Sequence, residues 1–231
     1  MSKKRLKKIM YLSIFKTIWF NFMYFPFSIA YKMPVLLARK VQIRHCYRGF
    51  CEFEKVKTGI LRIGFLDRRL NADTYSSINI NGKLVLKGDG FHAFGVGTKL
   101  NIWKDGILTV GNNFTCSARN IISCSCAITI GDDNMWSYDN VVMDTDAHQI
   151  YDENGKIMNY NKPVVFGNHI WLGCRNIILK GSHIANGCMV ASGSLINGKY
   201  SEDNCVITTG NKIIKRNILW KRSLAVNNQC Q

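Results

Sequence analysis

Six apolar residues at a spacing of six, Phe166, Leu172, Ile178, Ile184, Val190 and Ile196, constrain this chain more than any other feature. Each opens a hexapeptide, and the residue after it is usually small, as at Gly167, Gly173, Ala185 and Ala191. A period of six matches neither the 3.6 of a helix nor the alternation of a plain strand. The unit is therefore a short strand plus a turn, repeated as the faces of a β-helix. Successive coils stack the openers into columns of one core, while Asn168, Asn176, Gly181, Gly187 and Gly193 suit tight corners.

The same period runs upstream with slips. Val110, Cys116 and Ile122 are six apart, a two-residue insertion shifts the phase to Ile130, Trp136 and Val142, and Phe94 and Leu100 share the earlier register. Trp103 to Gly106 reads as an extruded turn. The repeat is traceable from about Ile78 to Ile207. The chain accordingly divides into a basic aromatic segment over 1–50, a β-helix domain over 51–207 with an inserted loop over 148–165, and a tail over 208–231. In that tail, KRNILWKR reads as a short amphipathic helix or an irregular tail with Ile218, Leu219 and Trp220 packing back.

The repeat breaks at one place. Six residues after Val142 the expected aliphatic opener is His148, and the register resumes only at Phe166, after Lys162 and Pro163 end the loop. A histidine at such a break is either a satisfied loop residue or a base. Asp144 and Asp146 precede it in MDTDAH, where a carboxylate can hold one imidazole tautomer and leave the other nitrogen free to accept a proton. His169 and His183 read as corner or surface residues.

Charge carries a second message. The first 51 residues hold eleven Lys or Arg and no Asp or Glu, so most of the net charge of +16 is local. Lys3, Lys4, Arg5, Lys7 and Lys8 precede an aromatic run from Ile9 to Tyr31, interrupted by Lys16, Asn21 and Pro26. Cations beside such a run fit a segment at an anionic membrane surface, with Trp19, Phe20, Phe22 and Phe25 entering the interface. The same run also fits a hydrophobic cap on the solenoid, and the two readings coexist. A membrane span or a secretory signal fits less well because of the interruptions, and nucleic-acid binding is the weakest reading because no motif for it is present.

Nine cysteines, an odd number, are scattered along the chain. Cys116 and Cys188 occupy repeat positions as small core hydrophobes. Cys124 and Cys126 form the only close pair, which without suitably spaced histidines argues for no metal site. A reduced, cytoplasmic compartment follows.

The stretch GNHIWLGCRNIILKGSHIANGCMVASGSLI (167–196), together with DTDAH (144–148), INGK (80–83) and the aromatic FKTIWFNFMYFPF (15–27), resembles the hexapeptide-repeat acyltransferases. Within them it is similar to the branch that acetylates sugars of bacterial surface polysaccharides. The resemblance implies an all-β, left-handed parallel β-helix, an exception to the right-handed crossover rule, assembled as a homotrimer with acetyl-CoA bound between subunits. It implies His148 as the general base and the backbone N–H of Cys174 as an oxyanion donor, with no acyl-enzyme and thus no role for the thiol. It further implies that Trp171 lines the donor and acceptor site, that Ser192 contacts the pantetheine arm, and that Lys212 and Lys215 meet the phosphates.

Two departures stand out. TGNKIIK (209–215) lacks the Pro-Ala pair common at the adenine end, and Arg119 stands where several sugar acetyltransferases carry an acceptor-binding Asn. The expected function is O-acetylation of a surface polysaccharide or its precursor, in the cytoplasm or peripherally at the inner face of the plasma membrane. The rivals are N-acetylation of an amino sugar, acetylation of a small antibiotic, and a non-catalytic scaffold.

Overall fold

The computed structural model describes residues 11–65, 74–210 and 212–222 of the 231-residue chain. It is an all-β parallel β-helix whose three sheets form the faces of a prism. Among the described residues the first sheet starts with Val35–Leu37 and has nine strands; the second starts with Val41–His45 and the third with Cys51–Phe53, and each has seven. The chain visits first, second and third sheet in turn. Every strand pairs with the equivalent strand of the next coil, and pairing is parallel except where Lys212–Lys215 folds back antiparallel on Val206–Thr208.

The hexapeptide openers align as read from the sequence. Phe94, Cys116, Trp136, Leu172, Val190 and Ile207 are register partners up the first sheet. Leu100, Ile122, Val142, Ile178 and Ile196 climb the second, and Val110, Ile130, Phe166, Ile184 and Tyr200 the third. All of these are buried. The larger rings interleave inside, with Phe114 at 5.2 Å from Phe94 and 5.0 Å from Trp136, and Trp136 at 4.9 Å from Phe166.

Corners are joined by side-chain ladders. At the third-to-first corner the amides of Gly90, Asn112, Asp132, Asn168 and Asn186 each donate to the side-chain oxygen of Asn112, Asp132, Asn168, Asn186 and Asp203 one coil on, at 2.6 to 2.8 Å. At the first-to-second corner the direction is reversed: the side-chain oxygens of buried Asn120, Asn140 and Asn176 accept the amides of Asn140, Asn176 and Ser194 one coil on, at 2.8 to 3.1 Å. Corner amides that no strand can pair are thus satisfied along the stack.

The solenoid begins earlier than residue 51, because Val35–Leu37 and Val41–His45 already pair with Leu61–Phe65 and Ser76–Ile80. Helix α1 (Ile14–Tyr24) covers that end, and a short α2 (Phe27–Ala30) follows. Asn21 donates from Nδ2 to the Val35 carbonyl at 2.8 Å and accepts the Val35 amide at 3.1 Å, while the Thr17 hydroxyl accepts the Leu37 amide at 3.1 Å. These side chains close a sheet edge that would otherwise offer free backbone groups. Phe20 and Phe25 are buried against Phe50, at 5.9 and 5.5 Å. They belong to the cap and are not available to a membrane surface, contrary to the sequence expectation. No helix among the described residues is long and apolar enough to cross a membrane.

After Lys215 the described tail is irregular rather than helical. Trp220 packs back and Ile218 is half-buried, but Leu219 is 93% exposed, because an extended chain points neighbours to opposite sides.

Candidate active site

The long insertion leaves the second sheet after Val141–Met143 and re-enters the third at Val164–Phe166. Other coils cross this corner in a few residues, as at Trp103–Gly106 and Leu179–Ser182. Asp144 anchors the departure. Its side chain is fully buried, and its carboxylate accepts the amides of Ser125 at 2.6 Å and Cys126 at 2.8 Å and the Cys124 thiol at 3.6 Å.

Two residues on, the His148 amide donates to the Asp146 carbonyl at 2.7 Å across Ala147, whose φ is 63°. This is the rare γ-turn with a positive central φ, a strained conformation for a residue with a Cβ. Asn159 ties the two ends of the loop together, donating to the Asp146 carboxylate and the His148 carbonyl, both at 2.8 Å, and accepting the Ile150 amide at 2.7 Å. Lys180 from the next coil completes the clasp on the Asp146 carboxylate and the Asn159 carbonyl. The Lys180 ammonium, helped by Asn159, holds the Asp146 carboxyl below its ordinary range.

His148 is exposed and lines a cleft of about 480 Å³ between the loop and the preceding turn, with Trp103, Ser123, Ser125, Thr145 and Tyr160. Neither Asp144 nor Asp146 orients the imidazole, because both carboxylates are committed elsewhere. Among the described residues no hydrogen bond reaches its ring. The MDTDAH motif therefore positions the histidine through the backbone, not through a carboxylate on the ring.

The other expected site residues lie on a different edge of the prism. Cys174 is at the first-to-second corner, where its amide donates to the Ser192 hydroxyl at 3.1 Å. Gly173 permits this approach, since a Cβ there would sit 2.6 Å from Ser192 Oγ. The Ser192 hydroxyl, with the Tyr138 hydroxyl, also holds the Cys174 thiol below its usual pKa, and Tyr138 is raised by the same contact. Trp171 is half-buried on the first sheet. Lys212 and Lys215 are exposed on the antiparallel strand that ends that sheet. One chain thus gathers Trp171, Cys174, Ser192, Lys212 and Lys215 along the first sheet and its corner with the second, and places His148 at another corner. Arg119 pairs in two contacts with Asp139, at 2.7 and 2.9 Å, on the same corner as Cys174.

Sequence reasoning missed Asn159 and Lys180, whose partners lie 9 to 34 residues away. It also missed the tail anchor. His169 reaches Asp133 through Nδ1 at 2.6 Å and stacks on Trp220 at 3.8 Å, while Arg222 binds Asp133, Thr115 and the carbonyls of Asn113 and Asn134. The spacing of His169 carries no sign of this.

Comparison with known proteins adds an independent line. No family model matches the chain. It is 47% identical over 55 residues to the polysialic acid O-acetyltransferase of Neisseria meningitidis, a match that covers 23% of this chain and 26% of that protein. It is 24% identical over 178 residues to the putative lipopolysaccharide biosynthesis O-acetyl transferase WbbJ of Escherichia coli K12, covering 73% and 90%. The crystal structure of the polysialic-acid-specific acetyltransferase NeuO superposes with a TM-score of 0.52 at 21% identity, over 82% of this chain and 90% of that one, and shares its fold. The first of these relatives is thus matched over about a quarter of its length. The two sequence relatives are named as O-acetyltransferases, and the likeness to the solved structure is one of fold.

Proposed function

We propose that this chain transfers an acetyl group from acetyl-CoA to a sugar hydroxyl of a bacterial surface polysaccharide or its precursor. The observation that carries the proposal is the cleft at the interrupted corner, into which a strained turn presents the His148 imidazole. The aromatic faces of Trp103 and Tyr160 and the hydroxyls of Ser123 and Ser125 suit a sugar.

The strip from Trp171 through Ser192 to Lys212 and Lys215 fits an extended thioester with a phosphate end, by its exposed hydroxyl and paired ammoniums. Bound there, acetyl-CoA would supply an activated carbonyl. His148 takes the proton from the acceptor hydroxyl as its oxygen bonds to that carbonyl carbon. The Cys174 N–H, released from Ser192, stabilises the negative oxygen. As the carbon–sulfur bond breaks, His148 returns the proton to the departing sulfur. Because His148 and Cys174 occupy different corners of one chain, the complete site takes them from neighbouring chains of a threefold assembly. A cytoplasmic location, where acetyl-CoA is made, follows from the same reading.

His148→Ala should lower kcat roughly 10²–10⁴-fold with an unchanged melting temperature. Mixing it with a variant disabled at the Cys174 corner should restore activity in hetero-oligomers. Near-normal turnover of His148→Ala overturns the base, and a fully active monomer by light scattering overturns the shared site. Product acetyl that survives mild base would identify an amine acceptor in place of a hydroxyl.

A further inference from the structure

Helix α1 has two faces of different fate. Thr17, Phe20 and Asn21 turn inward and close the first coil, as described. Phe15, Ile18, Trp19, Phe22 and Met23 follow the i, i+3, i+4, i+7, i+8 spacing of a single stripe, and all are exposed, Phe15 by 89% and Met23 by 55%. The stripe continues onto α2. Phe27, 74% exposed, lies 6.0 Å from Phe22 and 6.0 Å from Tyr31, and the Lys32 ammonium sits 5.7 Å over the Tyr31 ring. No polar side chain interrupts it: the only ionisable group in Ile14–Tyr24 apart from the terminal Tyr24 is Lys16, whose ammonium donates inward to the carbonyls of Arg39 and Val41.

A contiguous apolar stripe of this kind marks an interaction surface, and the surrounding charge selects the occupant. Among the described residues Lys32, Arg39, Arg44 and Arg48 are exposed near it in sequence, five further cations precede α1 in the sequence, and no acid occurs before residue 52. A second copy docked face to face would set like charges against each other. A surface bearing anionic headgroups satisfies both the aromatic stripe and the cations. Eleven residues make a helix about 16 Å long, against roughly 30 Å for the hydrocarbon core, so it lies in the interface and does not cross.

We propose that the outward face of α1 and α2, formed by Phe15, Ile18, Trp19, Phe22, Met23 and Phe27, seats the protein in the headgroup layer of an anionic bilayer, with α1 parallel to the membrane plane. Its inner face stays on the solenoid, so attachment needs no unfolding of the cap. The inference is independent of the catalytic reading.

The test is sedimentation of the full chain with vesicles of phosphatidylethanolamine and phosphatidylglycerol, or of phosphatidylcholine alone. It is repeated with the variant Phe15→Ser/Trp19→Ser/Phe22→Ser, whose three sites are exposed and whose melting curve reports that it is folded. The chain should partition to anionic vesicles at least about tenfold better than to neutral ones, with partial loss at high salt. The variant should lose roughly tenfold or more. Turnover on a soluble acceptor should be equal in both proteins, which separates this result from the fate of the catalytic proposal. A chain that ignores anionic vesicles, or a variant that binds them equally, overturns the proposal. So does a variant of lower mass by light scattering, since the face would then join copies of the chain.

Discussion

Removing the Asp144 carboxylate tests whether MDTDAH acts by chemistry or by architecture. In the structure this side chain is fully buried and accepts two backbone amides and a thiol from the preceding coil. Asp144→Ala strands the Ser125 and Cys126 amides, each costing about 1–3 kcal/mol when left unpaired. Both residues are half-buried, so water recovers part of this, and about 3 kcal/mol is the expected net loss. For a chain of this size that corresponds to a fall in Tm of roughly 6–12 °C. Asp144→Asn keeps the shape and one acceptor oxygen, and should lose about half as much. The assay is scanning calorimetry at fixed protein concentration, paired with turnover measured well below the transition. If the carboxylate only anchors the loop, Asp144→Asn keeps kcat within a few fold while His148→Ala does not. An Asp144→Ala protein with unchanged Tm refutes the anchoring argument. So does an Asp144→Asn protein as inactive as His148→Ala at unchanged Tm, which would put the carboxylate back on the imidazole.

Two further outcomes follow from the corners. The Cys174 thiol is held below the ordinary 9.0, mainly by the Ser192 hydroxyl, so iodoacetamide should label it at lower pH than a free thiol. Ser192→Ala should move that labelling profile upward, and mass spectrometry of the peptide showing no movement would refute the contact. The Asp146 carboxyl is lowered from 3.8, chiefly by Lys180. Its contribution to loop stability is therefore full above 3.8 and disappears as pH falls through the lowered value. Pepsin cleavage within 148–163 should begin only in that acid range and should start at higher pH in Lys180→Met; identical profiles would discard the clasp.

The sequence by itself determined the solenoid and the place where it breaks. A coil that must put one side chain per face into a narrow core imposes a period of six on any chain that adopts it. Phe166 through Ile196 carry that period without a slip, and His148 shows as the residue where it fails. The corner turn at Trp103–Gly106 was legible for the same local reason.

What lay beyond the repeat was decided by tertiary structure. Asp144 and Asp146 look alike beside His148 in the sequence, yet one is buried on backbone amides and the other is clasped by Lys180, because coil stacking brings residues a full turn away into reach. The same stacking sends Cys174 and His148 to different edges of the prism, a separation that linear spacing does not express. At the N-terminus, Phe20 and Phe22 are equivalent aromatics until α1 meets the edge strand at Val35 and Leu37. That contact buries Phe20 and leaves Phe22 outside, because a helix laid across an open coil can turn only one face to it.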